Sequence, residues 1–80
     1  MDVLVVTSNG EFNTLVRVAE AMSYKYRTFT VSAHGRQIQR SAEVLAVLSK
    51  RRSITARAHF GEREGDSGPY PTIEWTVQSI

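Results

Sequence analysis

The chain has 80 residues, no cysteine and a net charge of +2 at neutral pH. This length predicts a single domain, spanning residues 1–80, with a modest core. The lack of cysteine excludes disulfides, thiolate metal sites and cysteine nucleophiles, and fits a reducing compartment. Apolar runs such as residues 3–6 and 44–48 are far too short to cross a membrane, and no signal-like leader precedes the first of them. We therefore expect a cytoplasmic protein without membrane contact.

The positive charge is concentrated in the middle of the chain. Residues 1–24 carry a net charge of −2, residues 25–57 carry +7, and residues 58–80 carry −3. A polyanion responds to the local field, whose range is about 10 Å at physiological salt. If folding brings these cations together, the middle segment favours nucleic acid as a partner.

The first half of the chain predicts a strand, a helix and a second strand. The β-branched run at residues 3–6 is typical of a strand that is covered on both faces or lies centrally in a sheet. Ser8 and Glu11 match a capping box, and apolar residues then recur at helical spacing, which predicts a helix over residues 9–24. Strict alternation over residues 28–33 predicts a half-buried strand.

The second half predicts a helix followed by two strands. A helix over residues 37–50 places four apolar side chains on one face, namely Ile38, Ala42, Leu45 and Leu48. Val44 and Val47 lie on a different arc, which either a dimer partner or a neighbouring helix would cover. Residues 54–60 and 72–78 alternate as strands. Their predicted inward side chains are Ile54, Ala56, Ala58, Phe60, Ile73, Trp75 and Val77.

Between these two strands, residues 61–71 are rich in glycine, proline and acidic residues, which predicts a hairpin connection with a loose tip. The resulting order is β-α-β-α-β-β. It predicts a two-layer α/β sandwich in which both helices cover one face of a mixed four-stranded sheet.

A phosphate-binding corner is predicted where the second strand passes through Gly35 into the second helix. A helix start presents unpaired N–H groups and a positive dipole end, and Arg36 and Arg40 lie four positions apart on one helical face. Such a corner suits a phosphate group. The alternative is an ordinary connection with solvated arginines.

The order of elements and the run Ala-His-Gly-Arg-Gln-Ile-Gln-Arg at residues 33–40 resemble the Alba superfamily, which carries a similar Ala-Arg-Gly-Arg-Ala-Ile-Ser-Lys run. The step from Gly35 to Arg36, with Ile38, is the most specific part of the match. The resemblance implies the Alba fold, which is like that of the C-terminal domain of translation initiation factor 3. It also implies a homodimer that binds duplex DNA or RNA through phosphates with little sequence preference, as a chromatin or ribonucleoprotein component.

Position by position, the resemblance implies nucleic-acid contacts from Arg36, Arg40, His34, Asn9, Gly10, Asn13 and Arg63. Two features depart from the family. The turn at residues 7–10 lacks the usual lysine pair, and the usually basic hairpin arm carries Glu62, Glu64 and Asp66 around Arg63. A phosphate groove would repel such an arm. An alternative function is therefore a protein-interaction or regulatory module of the same fold, and a preference for RNA over DNA is a third possibility.

No pattern in the chain points to catalysis or to a cofactor. There is no Gly-x-Ser-x-Gly elbow, no recognisable carboxylate pair and no nucleotide-binding P-loop ending. His34 and His59 lack the spacing of a helical metal site. We therefore expect no enzyme activity, no metal, no cofactor and no small-molecule substrate.

Overall fold

Two helices pack on one face of a mixed four-stranded sheet in the computed structural model, which describes residues 2–80. The predicted order of elements is confirmed. The elements are β1 (Val3–Val5), α1 (Phe12–Lys25), β2 (Thr28–His34), α2 (Gln37–Arg51), β3 (Ile54–Gly65) and β4 (Gly68–Ser79).

The strands lie in the order β1-β2-β4-β3. β1 runs parallel to β2, whereas β2 and β3 are both antiparallel to β4. Because β1 and β2 are parallel and each is followed by a helix, the starts of α1 and α2 lie at the same end of the sheet.

The core lies between the sheet and the helices, and it follows the alternation of the strands. In β2 the buried side chains are Phe29, Val31 and Ala33, while the intervening residues face the other side of the sheet. The helices and β4 complete the core with Leu15, Val16, Ala19, Met22, Val44, Leu45, Leu48, Ile73 and Val77. We call the side of the sheet without helices the open face; Thr30, Ser32, His34, Thr72 and Glu74 lie on it.

The strand β1 was predicted correctly, but its predicted position in the sheet was wrong. β1 is an edge strand, and Val3 and Val5 are 43% and 52% exposed. A continuous apolar run suggested cover on both faces, but both helices lie on the other side of the sheet. The two valines therefore belong to the open face.

The predicted capping box was also wrong. Ser8 lies in a turn in which the N–H of Gly10 donates to the carbonyl of Thr7 at 3.3 Å. Helix α1 begins only at Phe12, with Glu11 as an extended N-cap residue that makes no side-chain capping bond. The helix start is thus left without a side-chain cap.

The prediction of a loose hairpin tip was wrong as well. β3 and β4 stay paired along their whole length, from Ile54 opposite Ser79 to Gly65 opposite Gly68. A two-residue turn at residues 66–67 joins them, and Gly68 has a φ of 108°, which favours glycine. Since β2 pairs only with residues 72–78 of β4, residues 62–71 project beyond the sheet as a two-stranded hairpin arm.

Four residues predicted to face inward are exposed. Ala56, Ala58 and Phe60 do lie on the helix side of the sheet, since they pair opposite Val77, Trp75 and Ile73. They remain uncovered because β3 is the far edge strand and the helices pack over β2 and β4.

The fourth exposed residue is Ala42, whose predicted place in the core is taken by Ser41. For Val44, the sequence predicted cover by either a dimer partner or a neighbouring helix. Its side chain is fully buried within the chain. Because α2 packs against α1, this favours the neighbouring helix.

The buried hydroxyl of Ser41 links α2 to β4. It accepts a hydrogen bond from Nε1–H of Trp75 at 2.9 Å and donates to the carbonyl of Ile38 at 2.6 Å. A buried polar group that loses its partner costs more than an exposed one, because water does not replace the bond.

We expect Ser41→Ala to lower the free energy of unfolding by about 1 to 3 kcal/mol, because it leaves the indole N–H without a partner. Ser49→Ala is the matched control, since Ser49 is exposed and makes the same type of bond, to the carbonyl of Ala46 at 2.7 Å. Its effect should stay within about 0.5 kcal/mol. Urea unfolding at one protein concentration measures both, and equal losses would contradict the role of the Trp75 bond.

Candidate nucleic-acid interface

The parallel strands bring most of the predicted contact residues to one end of the sheet, which we call the loop end (residues 6–11, 34–36 and the base of the hairpin arm). At this end the N–H of Val6 donates to the carbonyl of Ser32 at 2.8 Å, and the N–H of Gly35 donates to the carbonyl of Pro71 at 2.9 Å. These bonds join the first loop and the arm to the end of β2.

Gly35 makes the turn from β2 into α2 possible. Its φ is 58°, in the left-handed region that favours glycine, and its carbonyl accepts a bond from the N–H of Ile38 at 3.2 Å. Arg36 is the N-cap residue, and no side chain caps the helix. Neither helix has an acidic residue in its first turn, but the N-cap residue of α1 is Glu11, so it is the start of α2 that keeps its positive dipole end available.

Arg36 and Arg40 lie at this helix start but differ in their contacts. Arg36 is exposed, and no hydrogen bond or ion pair engages its side chain within residues 2–80. Arg40 is half-buried, and its Nη2 donates to the carbonyl of Gly10, while its Nε is buried without a partner. Arg36 is therefore free to bind a ligand, whereas Arg40 also holds the loop before α1 against α2.

The remaining predicted residues surround this pair. Asn9 and Asn13 are exposed, and no contact engages their side chains within the described part of the chain. Gly10 is half-buried beneath Arg40. His34 is exposed, with its ring centroid 5.3 Å from that of Tyr70. Arg63 lies farther out, exposed on the hairpin arm and opposite Tyr70.

Sequence reasoning missed the pairing of His34 with Tyr70. The two rings meet because Tyr70 is two residues before Thr72, the partner of His34 in the sheet. The sequence did contain a pattern that predicts this contact. Once the residues of the arm are assigned to a strand, the alternation of β4 continues through them and places Tyr70 on the same face as Thr72.

The cations at the end of α2 serve the contact between the helices. Arg51 forms an ion pair with Glu20 at 3.1 Å. Arg52 donates from Nε to the hydroxyl of Ser23 at 3.2 Å and covers the ring of Tyr24 at 4.0 Å. These side chains lie at the opposite end of α2 from Arg36.

Within residues 2–80, no group of three or more histidine, aspartate or glutamate side chains is placed to hold a metal ion. No helix in the same range is long and apolar enough to cross a membrane.

Comparison with solved structures identifies the fold. The chain superposes on Alba1 from Trypanosoma brucei with a TM-score of 0.86 and 20% identity, covering 99% of this chain and 69% of that one. It superposes on Alba from Thermoplasma volcanium with a TM-score of 0.76 and 13% identity, covering 95% of this chain and 98% of that one. The chain has the Alba fold. No known family profile and no curated protein sequence matches it.

The different contacts of the two arginines predict different effects on stability. Arg40→Ala should lower the free energy of unfolding by about 1 to 2 kcal/mol, because the hydrogen bond to Gly10 is lost. This loss is at the low end for a hydrogen bond from a charged group, because the substitution also removes the buried Nε that has no partner. Arg36→Ala should change it by less than about 0.5 kcal/mol. Urea unfolding measures this, and amide exchange should rise over residues 7–11 in Arg40→Ala alone. An equal loss in both variants would contradict the assigned contacts.

Proposed function

We propose that this chain is an Alba-family protein that binds duplex DNA or RNA through phosphate contacts, without marked sequence preference and without catalysis. The observation that supports this most is the exposed and unpaired side chain of Arg36 at the uncapped start of α2. Backbone N–H groups at a helix start and a guanidinium both prefer an anion, and phosphate satisfies both.

The groups around Arg36 extend this contact. Arg40 adds a second positive charge one helical turn away and fixes the loop that carries Asn9 and Gly10. That loop and Asn13 offer neutral hydrogen bonds, which position a phosphate backbone without reading bases. His34 and Arg63 extend the surface toward the hairpin arm.

The affinity should depend on salt, because each neutralised phosphate releases counterions. We expect Arg36→Glu to weaken binding to all duplexes alike and to reduce the slope of log affinity against log salt by about 0.9 for each phosphate that the variant no longer neutralises. Fluorescence anisotropy with a labelled duplex at several salt concentrations measures both quantities.

The control is Arg27→Glu, which makes the same change in net charge on an exposed residue beside the start of β2, at the opposite end of the sheet. It should leave most of the affinity and the slope unchanged. If both variants lose affinity equally, binding follows net charge alone and the site at Arg36 is rejected.

A homodimer is also part of the proposal, and the helix side of β3 supports it. Ala56, Ala58 and Phe60 form an uncovered row there, and Phe60 is 70% exposed. Ile54 and Trp75 are half-buried beside this row. Burying it against a second copy would remove apolar surface from water and add stability to a short chain. The dimer would also present two copies of Arg36 at a fixed separation.

We expect Phe60→Glu to shift the protein from dimer to monomer in sedimentation velocity, because a charge would be buried in the apolar contact. Thr55→Glu is the control, since Thr55 is an exposed residue of the same strand on the open face. It should remain dimeric. A wild-type chain that is monomeric at high concentration would contradict the dimer, whatever Phe60→Glu does.

The acidic residues of the arm favour a second candidate, a protein-interaction or regulatory module with little nucleic-acid affinity. Glu62, Glu64 and Asp66 are exposed there. The same anisotropy titration separates the two functions, because this module would show no salt-dependent binding to duplex DNA, duplex RNA or single strands.

A further inference from the structure

A groove crosses the open face of the sheet next to the hairpin arm and has a volume of about 630 Å³. Its lining combines aromatic, cationic and hydroxyl groups, among them His34, His59, Arg63, Tyr70, Thr72 and Glu74. The helices lie on the other side of the sheet, so nothing within residues 2–80 covers this surface. The duplex contacts proposed above reach only its rim, at His34 and Arg63, and give Tyr70 and the rest of the groove no role.

Two aromatic rings are fixed in this groove. The rings of His34 and Tyr70 have centroids 5.3 Å apart and are tilted by 59°. One edge of the Tyr70 ring lies against the bare backbone of Gly65, because a Cβ placed on Gly65 would be 3.0 Å from Cε1 and 3.1 Å from Cδ1 of Tyr70. The ring therefore has neighbours on the strand and at His34. A fixed ring loses little entropy when a second ring stacks on it.

Two glycines of β3 let side chains of β4 lie close to the backbone beside these rings. Gly61 and Gly65 lie two residues on either side of Arg63 in β3, so all three belong to the open face. A glycine inside a strand weakens the strand, and it commonly marks a place where a ligand approaches the backbone closely. Arg63 lies between them, directly opposite Tyr70, with no side chain on either glycine to separate it from the Thr72 hydroxyl and the Tyr70 ring.

The charges in the groove are arranged along its length. Arg63 lies on the arm. Its neighbour Glu62 also borders the groove, although strand alternation directs its side chain to the helix side. Glu74 lies farther along the sheet, opposite His59 and Ser32. An anionic phosphate is favoured at the arm and disfavoured near Glu74. Hydroxyl groups, such as that of Thr72, offer hydrogen bonds to a base or a sugar without adding charge.

We propose that this groove binds an unpaired nucleotide, with its base stacked on Tyr70 and His34 and its phosphate at Arg63. Unpaired bases stack on aromatic side chains exposed on sheets, and each base has a face that permits it. His34 lies two residues before Arg36, so the groove adjoins the duplex site. The proposal rests on the proposed function, because it places the nucleotide next to a duplex bound at Arg36.

The test compares a blunt duplex with the same duplex carrying a short single-stranded extension that contains 2-aminopurine. The extension is made once as RNA and once as DNA, which separates the two sugars. For the wild-type protein, the extended duplex should bind about tenfold more tightly than the blunt one, and 2-aminopurine fluorescence should be quenched on binding.

Tyr70→Ala should remove this preference and the quenching while leaving the blunt-duplex affinity unchanged. Tyr24→Ala is the matched control, because Tyr24 is an exposed tyrosine near the end of α1, far from the groove. It should retain both signals. Gly61→Val keeps both rings but fills the groove, so it should also lose the preference, and circular dichroism confirms that each variant is folded.

The proposal is overturned if the wild-type protein binds both duplexes equally and 2-aminopurine stays bright, or if Tyr70→Ala and Gly61→Val both retain the preference. In either case, salt-dependent binding of the blunt duplex that is abolished in Arg36→Glu leaves the duplex function intact. If the wild-type protein binds neither duplex at low salt, the proposed function fails together with the groove.

Discussion

The parallel pairing of β1 with β2 is the constraint on which the rest of the molecule depends. A parallel pair needs a crossover, which α1 supplies, and the start of α1 then lies beside the start of α2. The bond from Arg40 to the carbonyl of Gly10 joins these two starts directly. An antiparallel β1 would have carried residues 7–10 to the opposite end of the sheet, away from Arg36. Three hydrogen-bonded residues therefore decide which polar groups share a surface.

Because the helices cover only one face of the sheet, and that face only in part, two surfaces of the sheet remain exposed. The helices bury Val31 and Val77 but leave most of β3 uncovered, so the row around Phe60 remains exposed on the helix side. The opposite side has no helix at all and carries hydroxyl, aromatic and charged groups. The first surface suits a second copy of the chain because it is apolar. The second surface is too polar to bury without partners and suits a polar ligand.

Local patterns predicted the elements well where burial follows the chain's own periodicity. β2 and α2 were correctly placed because strands alternate and helices repeat, and both elements lie on one core. The errors arose where a distant segment decides the outcome. Whether Ala58 is buried depends on whether a helix covers that part of β3. The strand structure of residues 61–65 depends on pairing with residues 68–72. Similarly, Arg40 was correctly placed at the helix start, but its bond to Gly10 joins residues thirty positions apart.

The acidic arm repels a polyanion less than its composition suggests, because it is a paired hairpin and not a loose loop. Side chains alternate along a strand, so Glu62 and Glu64 face the helix side while Arg63 faces the open side with Tyr70. A nucleic acid that approaches the open face meets the arginine and the aromatic ring first. A partner that approaches the helix side meets the two glutamates. The arm therefore places its arginine and its two glutamates on opposite sides, which would favour a bound strand on the open face over the helix side.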